Sequence, residues 1–472
     1  MSNGGIQSTE SSIDVAVSRR EMEELSVLEE TCTQYRLYRI RFYGLTLIIL
    51  SNIAASLNWL SVATVPDYAA TYFGHVSLTA INWFSNMFML IYLVAGPLSS
   101  YIYDRFSLKT GFVAGGVLQT LGAWLRFFST FVSQDNHTAR YSLAMLGQIF
   151  CAFGQPFILN SSTPYAALWF DANSRGTVSM AAGLANSFGT AVTNLLIPAL
   201  VTNADTLWIG FLAIACITSV FAIPTLFIPR GPPTPPSYSA STHLERRQPF
   251  RVCLVQLLKN FDFFCIVITF SVLCGLVSAI TSLLPQIVGP YGVSVEQSGY
   301  LGVAFIVGGL VGAIATGFFV DKTKKYRAVL RVFVSWSGFF FVMLMVVVRP
   351  NNYTAIVVIC AFLGFFVFSL LPVGLELSVE CSYPVSESVS SSMLWVCSQV
   401  LGLVFLLSMD ALRDDHGDPP GTMRRALEMA AGLSASMSIF AYVYESPNKR
   451  LESEQANVAT RGSTIREKTD QA

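Results

Sequence analysis

The chain has 472 residues, of which 53% are hydrophobic and only 12% charged, with 29 Lys plus Arg balanced by 29 Asp plus Glu. Soluble domains carry about a quarter of their residues charged, so water is excluded as the main solvent. The even balance gives no case for nucleic acid as a partner.

The first forty residues are polar and acidic and lack the basic-then-apolar plan of a cleavable signal, so residues 1–42 are expected to form a cytosolic tail. A helix that crosses a hydrocarbon core of about 30 Å needs about twenty mainly apolar residues. Twelve such segments follow: 43–65, 82–103, 109–131, 141–163, 177–201 and 206–228, then 261–288, 297–320, 328–348, 353–375, 388–409 and 424–444. Backbone groups in lipid must bond within their own segment, and many runs are too long and uniformly apolar for barrel strands. The expected fold class is an all-α membrane protein with twelve transmembrane helices in two six-helix bundles, 43–228 and 261–445. Between them, 229–260 is expected to be a cytosolic linker that begins Pro232-Pro-Thr-Pro-Pro236, and 446–472 a cytosolic tail.

Cytoplasmic loops carry the excess of Lys and Arg. With the N-terminus inside, the internal loops hold Arg105, Lys109, Arg175, Arg246, Arg247, Arg251, Lys322, Lys324, Lys325 and Arg331 and outweigh the external ones, so both termini are expected to be cytoplasmic. The glycosylation sequons at Asn136 and Asn352 fall in loops that this topology places outside, whereas a third, at Asn160, falls within the fourth span. Asp104-Arg-Phe-Ser-Leu-Lys109 after the second span is echoed by Asp321-Lys-Thr-Lys-Lys325 after the eighth. Such an acidic-then-basic loop can form a charge cluster at a cytoplasmic gate through Asp104, Arg105, Asp321 and Lys322. Repeated in register with twelve spans, it resembles the major facilitator superfamily. That resemblance implies two bundles rocking about a central cavity at mid-bilayer.

Ionisable residues in spans normally mark ion or proton routes, and here they occur only near span ends, as Asp67, Arg126, Glu376, Asp410 and Glu428. This favours facilitated diffusion over proton coupling through a deep carboxylate. The spans carry neutral polar and aromatic groups instead: Asn52, Asn58 and Trp59; Asn82, Asn86 and Tyr92; Gln148 and Asn160; Asn186 and Asn194; Trp395 and Gln399. Each can bond a solute hydroxyl, and ring faces can hold an organic cation, but amides are also ordinary interhelical packing groups. The glycines Gly308, Gly309 and Gly312 read as packing, and Pro156, Pro164, Pro285 and Pro372 can bend spans. The nine cysteines are scattered without metal-like spacing, and no phosphate loop, nucleophile elbow or metal helix marks an enzyme, so neither a metal nor a cofactor is expected.

Two stretches are more specific. One runs from Leu146-Gly-Gln-Ile-Phe-Cys-Ala-Phe-Gly-Gln-Pro-Phe157 through Trp169-Phe170 to Asn186-Ser-Phe-Gly-Thr-Ala-Val192. The other joins Glu376, Glu380, Tyr383, Pro384 and Glu387 to Ser398-Gln-Val-Leu-Gly402. Together they resemble the feline leukaemia virus subgroup C receptor-related transporters, solute carrier family 49, over most of 43–445. The resemblance implies choline and ethanolamine as solutes, with haem or vitamin B6 as alternatives. The alternative of another class is a receptor or sensor that keeps the transporter fold and binds without flux. Trp59 and Gln399 match a first-span tryptophan and an eleventh-span glutamine that line the choline cavity. The match breaks at Ser278, where the choline carriers have a tyrosine, and at Ser187, where they have a glutamine. The expected solute contacts are Trp59, Gln399, Asn58, Gln148, Asn186 and Ser278. Glu376, Glu380 and Glu387, flanking the loop between spans ten and eleven, are expected to latch against Lys322 to Lys325. The expected partners are a small-molecule substrate and the lipid bilayer, the chain being a monomer in the plasma membrane or a lysosomal or vacuolar membrane.

Overall fold

The computed structural model describes residues 37–446 except 134, 171, 235–249, 324, 383, 384 and 386. Most of the two expected tails and the middle of the expected linker lie outside the described residues. Among the described residues, twelve long helices run in chain order: α1 Ile40–Leu60, α2 Leu78–Arg105, α3 Leu108–Phe128, α4 His137–Leu159, α5 Ala172–Leu200, α6 Leu207–Ala222, α7 Phe261–Val288, α8 Val295–Thr323, α9 Tyr326–Val347, α10 Tyr353–Ser382, α11 Glu387–Ala411 and α12 Arg424–Val443. Ten spans are apolar and long enough to cross a bilayer; α3 and α5, which carry Arg126, Asn186 and Asn194, are not among them. Large apolar side chains such as Val94, Val117, Val311, Phe318 and Ile439 point outward, as expected where lipid replaces water.

Within the first six helices α1 packs on α5 and α6, α4 on α2 and α3, and α3 on α6; α7 to α12 repeat the pattern pair for pair. The groups meet through α2 against α11 and α5 against α8. Helices two and eight, and five and eleven, hold equivalent places in the two sets, so these seams are the same contact made twice. Both described chain ends fall on one face of the body, called near below; the opposite face is called far.

Three departures from the expected spans have local causes. The tenth helix runs through Ser382, seven residues past its expected end, because Glu is a good helix former even where it lowers hydropathy. Glu376 and Glu380 therefore lie within the last turns of α10 and Glu387 opens α11, so they still flank the connection between the two helices, which is shorter than expected. The first span is not one helix: α1 stops at Leu60, residues 61–65 form a buried turn, and a short helix, Pro66–Tyr72, follows. Pro66 lacks an N–H for the carbonyl of Val62 and holds Val65 out of the helical region, at φ −134°. Val65 N donates to that carbonyl instead, at 3.3 Å. Helix α4 ends at Leu159 with Asn160 as its C-cap.

The glycines of α8 confirm the packing reading, since Gly308 and Gly312 lie directly against the α10 backbone at Ala361 and Phe365. At the crossing of α7 and α11, a Cβ on Gly275 would stand 2.9 Å from the backbone nitrogen of Gly402. Only hydrogen allows that approach.

Candidate functional site

The polar residues of the first bundle converge on a buried cation. Arg126, near the end of α3, has no exposed surface. Its Nη1 donates to the Asn58 carbonyl at 3.0 Å, to Ser61 Oγ at 3.0 Å and to Gln148 Oε1 at 2.9 Å, and its Nη2 donates to Asn58 Oδ1. The guanidinium also lies over the Phe211 ring, 5.5 Å from its centre. Gln148 Nε2 donates to the carbonyls of Asn58 at 3.3 Å and Phe84 at 2.9 Å. Asn58 Nδ2 reaches Gln119 Oε1 and Thr218 Oγ1, at 3.3 and 3.1 Å. Burying an ion costs several kcal/mol, and each hydrogen bond to a charged group returns roughly 1.5–3 kcal/mol, so the acceptors gathered here are what the cation requires. Asn58 and Gln148 are consumed in this node. Asn186 is likewise spent on packing: its Nδ2 donates to the Asn52 carbonyl at 3.3 Å, while Ser56 Oγ donates to the Asn186 carbonyl at 2.6 Å, tying α5 to α1.

Along the seam between the bundles, Asn82, Met89 and Gly96 mark the face of α2 that meets the second bundle. Asn82 Nδ2 donates to Asp410 Oδ1 at 2.9 Å, and Gln286 Nε2 donates to Asn82 Oδ1 at 2.6 Å. Arg413 Nη1 closes the group through Asp410 Oδ1 at 3.2 Å and Gln286 Oε1 at 3.4 Å. This cluster joins α2 to α7 and α11 at the far face. A second far-face closure lies between α5 and α8, where a Cβ on Gly302 would stand 2.7 Å from the Asn194 side chain. Asn82 and Asp410 stand out in the sequence as polar groups in or near spans, but their meeting joins positions 328 apart and is visible only in the fold, as are the parts played by Gln286 and Arg413.

Inward from that cluster the unengaged groups begin. On α7, Gln286, Ser282 and Ser278 follow at helical spacing; on α11, Gln399 precedes Asp410 by eleven residues, about 16 Å at 1.5 Å per residue, near half of a roughly 30 Å core. Asn86 Oδ1 and Ser282 Oγ are buried without a partner among the described residues. Gln399 and Ser278 are half-buried. Trp59, on the last turn of α1, packs on one side against Phe88, Cys151 and Ala152 of the first bundle and on the other against the core of the second. Its Nε1 is buried without a hydrogen bond among the described residues. On α11, one turn before Gln399, Trp395 meets Phe270 edge to face, with ring centres 5.6 Å apart.

At the near face, Asp104 and Asp321 occupy equivalent places, one residue from the end of α2 and two from the end of α8. Arg105 and Lys322 are exposed, Glu376 is half-buried and Glu380 is buried. At the far face, Asn136 is exposed and caps α4, its Oδ1 accepting from Ala139 N at 3.1 Å. Asn352 is half-buried and its Nδ2 donates to the Val347 carbonyl at 3.0 Å. Asn160 bridges Tyr92 and Ser99 within the first bundle, at 2.9 Å to each.

Twelve helices in two matched bundles, closed at one face along a polar seam, define a membrane transporter. The major facilitator superfamily model matches residues 47–406. Solute carrier family 49 member A3 of Xenopus tropicalis is 30% identical over 439 residues, covering 89% of this chain and 90% of that protein. The choline/ethanolamine transporter FLVCR2 of Rattus norvegicus is 29% identical over 400 residues, covering 82% and 72%. Among solved structures, the D-xylose-proton symporter superposes with a TM-score of 0.69 at 14% identity over 86% of this chain and 98% of that one. The outward conformation of FucP does so with 0.62 at 16%, over 87% and 100%. The chain belongs to the major facilitator superfamily and, within it, to solute carrier family 49. It is a multi-pass membrane transporter of a small molecule, not an enzyme.

Proposed function

We propose that the chain is a facilitative carrier of a choline- or ethanolamine-like amine, which it binds between its two bundles. The observation that carries this reading is the contrast among its polar groups. Asn58, Gln148 and Asn186 are engaged in packing, whereas Trp59 Nε1 has no hydrogen bond among the described residues and Gln399 and Ser278 are half-buried. A tryptophan face attracts an organic cation, and an amide with a hydroxyl binds a solute alcohol. Relatives named as choline/ethanolamine transporters support the solute class.

In this reading both termini are cytoplasmic, so the far face is the outside or the lumen and Asn136 and Asn352 are glycosylated there. The Asn82–Asp410 cluster is the outer gate. The near-face residues Asp104, Arg105, Asp321, Lys322, Glu376, Glu380 and Glu387 form the inner one. The chain works as a monomer divided near 229–260, in the plasma membrane or a lysosomal or vacuolar membrane.

The test is uptake of radiolabelled choline and ethanolamine into proteoliposomes, with and without a proton gradient. Saturable flux that ignores the gradient is expected, and Trp59→Ala abolishes it. Folded protein with no flux of either amine rejects the solute class; flux unchanged in Trp59→Ala rejects the site.

A further inference from the structure

The buried cation of the first bundle has no carboxylate among its hydrogen-bond partners in the described residues, and the interrupted first helix accounts for this. Helix α1 ends at Leu60 inside the protein, so the carbonyls of its last turn point into a region where the helix supplies no amide. The negative end of the helix dipole lies at the same place. Arg126 from α3 occupies it, with Nη1 on the main-chain oxygen of Asn58 and Nη2 on the side-chain oxygen of the same residue. Gln148 from α4 adds a second donor to that carbonyl, and Thr218 from α6 and Gln119 from α3 hold the Asn58 amide. The counter-charge of Arg126 is the end of α1 itself.

The next residue along is Trp59. Its indole nitrogen makes no hydrogen bond among the described residues, so no polar contact of its own fixes the ring; its place follows from the backbone of the last turn together with apolar packing against Phe88, Cys151 and Ala152. We propose that Arg126 is a positioning residue that, by capping the broken end of α1, sets the tryptophan wall of the solute site. This rests on Trp59 lining that site. The cap needs a guanidinium, because one group must reach two oxygens of Asn58 together with Gln148. A lysine keeps the charge but not the fork.

The experiment uses the full-length protein with Arg126→Lys and Arg126→Gln, measuring choline and ethanolamine uptake per folded molecule beside thermal unfolding in detergent. A C-terminal charge interaction in a buried setting supports a KM increase of about tenfold for Arg126→Gln and less for Arg126→Lys, at a maximal rate within about twofold of the parent. Variants that unfold earlier but keep the parental KM assign Arg126 to stability alone and overturn the proposal. A second measurement needs no transported solute. In a Trp59→Cys background, maleimide labelling above that of the parent is followed with and without Arg126→Gln. A several-fold change in labelling rate supports the positioning role even if neither amine is carried, and an unchanged rate overturns it.

Discussion

Asn82 on α2 donates to the carboxylate of Asp410 on α11 at 2.9 Å, although 328 residues separate them. The bond crosses from one bundle to the other at the far face, and Arg413 and Gln286 brace it from the second bundle. Opening that face must break it.

Removing it shifts the balance between closed and open states. A hydrogen bond to a charged group contributes about 1.5–3 kcal/mol, so Asp410→Ala or Asn82→Ala is expected to raise the open population about tenfold or more. The readout is labelling of Gln399→Cys by an impermeant thiol reagent applied to the far face. If both variants label at the parental rate, the cluster is not a gate.

Ser278 offers a gain-of-function test. Restoring a ring there, as Ser278→Tyr, is expected to lower the KM for choline by roughly two- to thirtyfold, since a cation–π contact is worth about 0.5–2 kcal/mol. Ethanolamine, whose smaller ammonium is more strongly hydrated, should gain less. Equal or weaker choline uptake by folded protein would mean that Ser278 does not face the solute.

The crossing at Gly275 is expected to tolerate no side chain. A methyl group there meets the Gly402 backbone, which cannot rotate aside. Overpacking of this kind costs about 1–3 kcal/mol, so Gly275→Ala should melt several degrees below the parent. Parental stability would show that α7 and α11 can separate at this point.

Asn136 and Asn352 differ in readiness for a glycan. Asn136 is exposed and its Nδ2 makes no hydrogen bond among the described residues, whereas that of Asn352 is engaged with Val347. Asn136→Gln is expected to remove the larger part of the glycosidase-sensitive mass shift on a gel, and Asn160→Gln none of it. A shift lost with Asn160 would reverse the proposed orientation.

Much of the architecture could be read from residue patterns alone because lipid imposes one rule, some twenty apolar residues per crossing, and the chain obeys it with few exceptions. The bounds of α7, 261–288, agree to the residue. The exceptions are local: Pro66 interrupts the first span, and the glutamates of α10 disguise helix as loop. The site was less legible. Asn58 and Gln148 have the same chemistry whether they face a solute or a guanidinium, and only the fold reveals that Arg126, 68 residues after Asn58, reaches both. One signal was present in the sequence: an arginine just inside the end of the third span needs a negative partner, and a helix broken before Pro66 provides one.

The capping of α1 by Arg126 also bears on the electrical character of the transport cycle. The hydrogen-bond partners of Arg126 all belong to its own bundle, so when the bundles rock the cation travels with its surroundings and crosses little of the membrane field. Moving one charge through 100 mV is worth about 2.3 kcal/mol. If uptake ignores a proton gradient, as proposed, the charge that is moved is that of the solute. The current that accompanies uptake, or its absence, therefore reads the net charge of the solute directly.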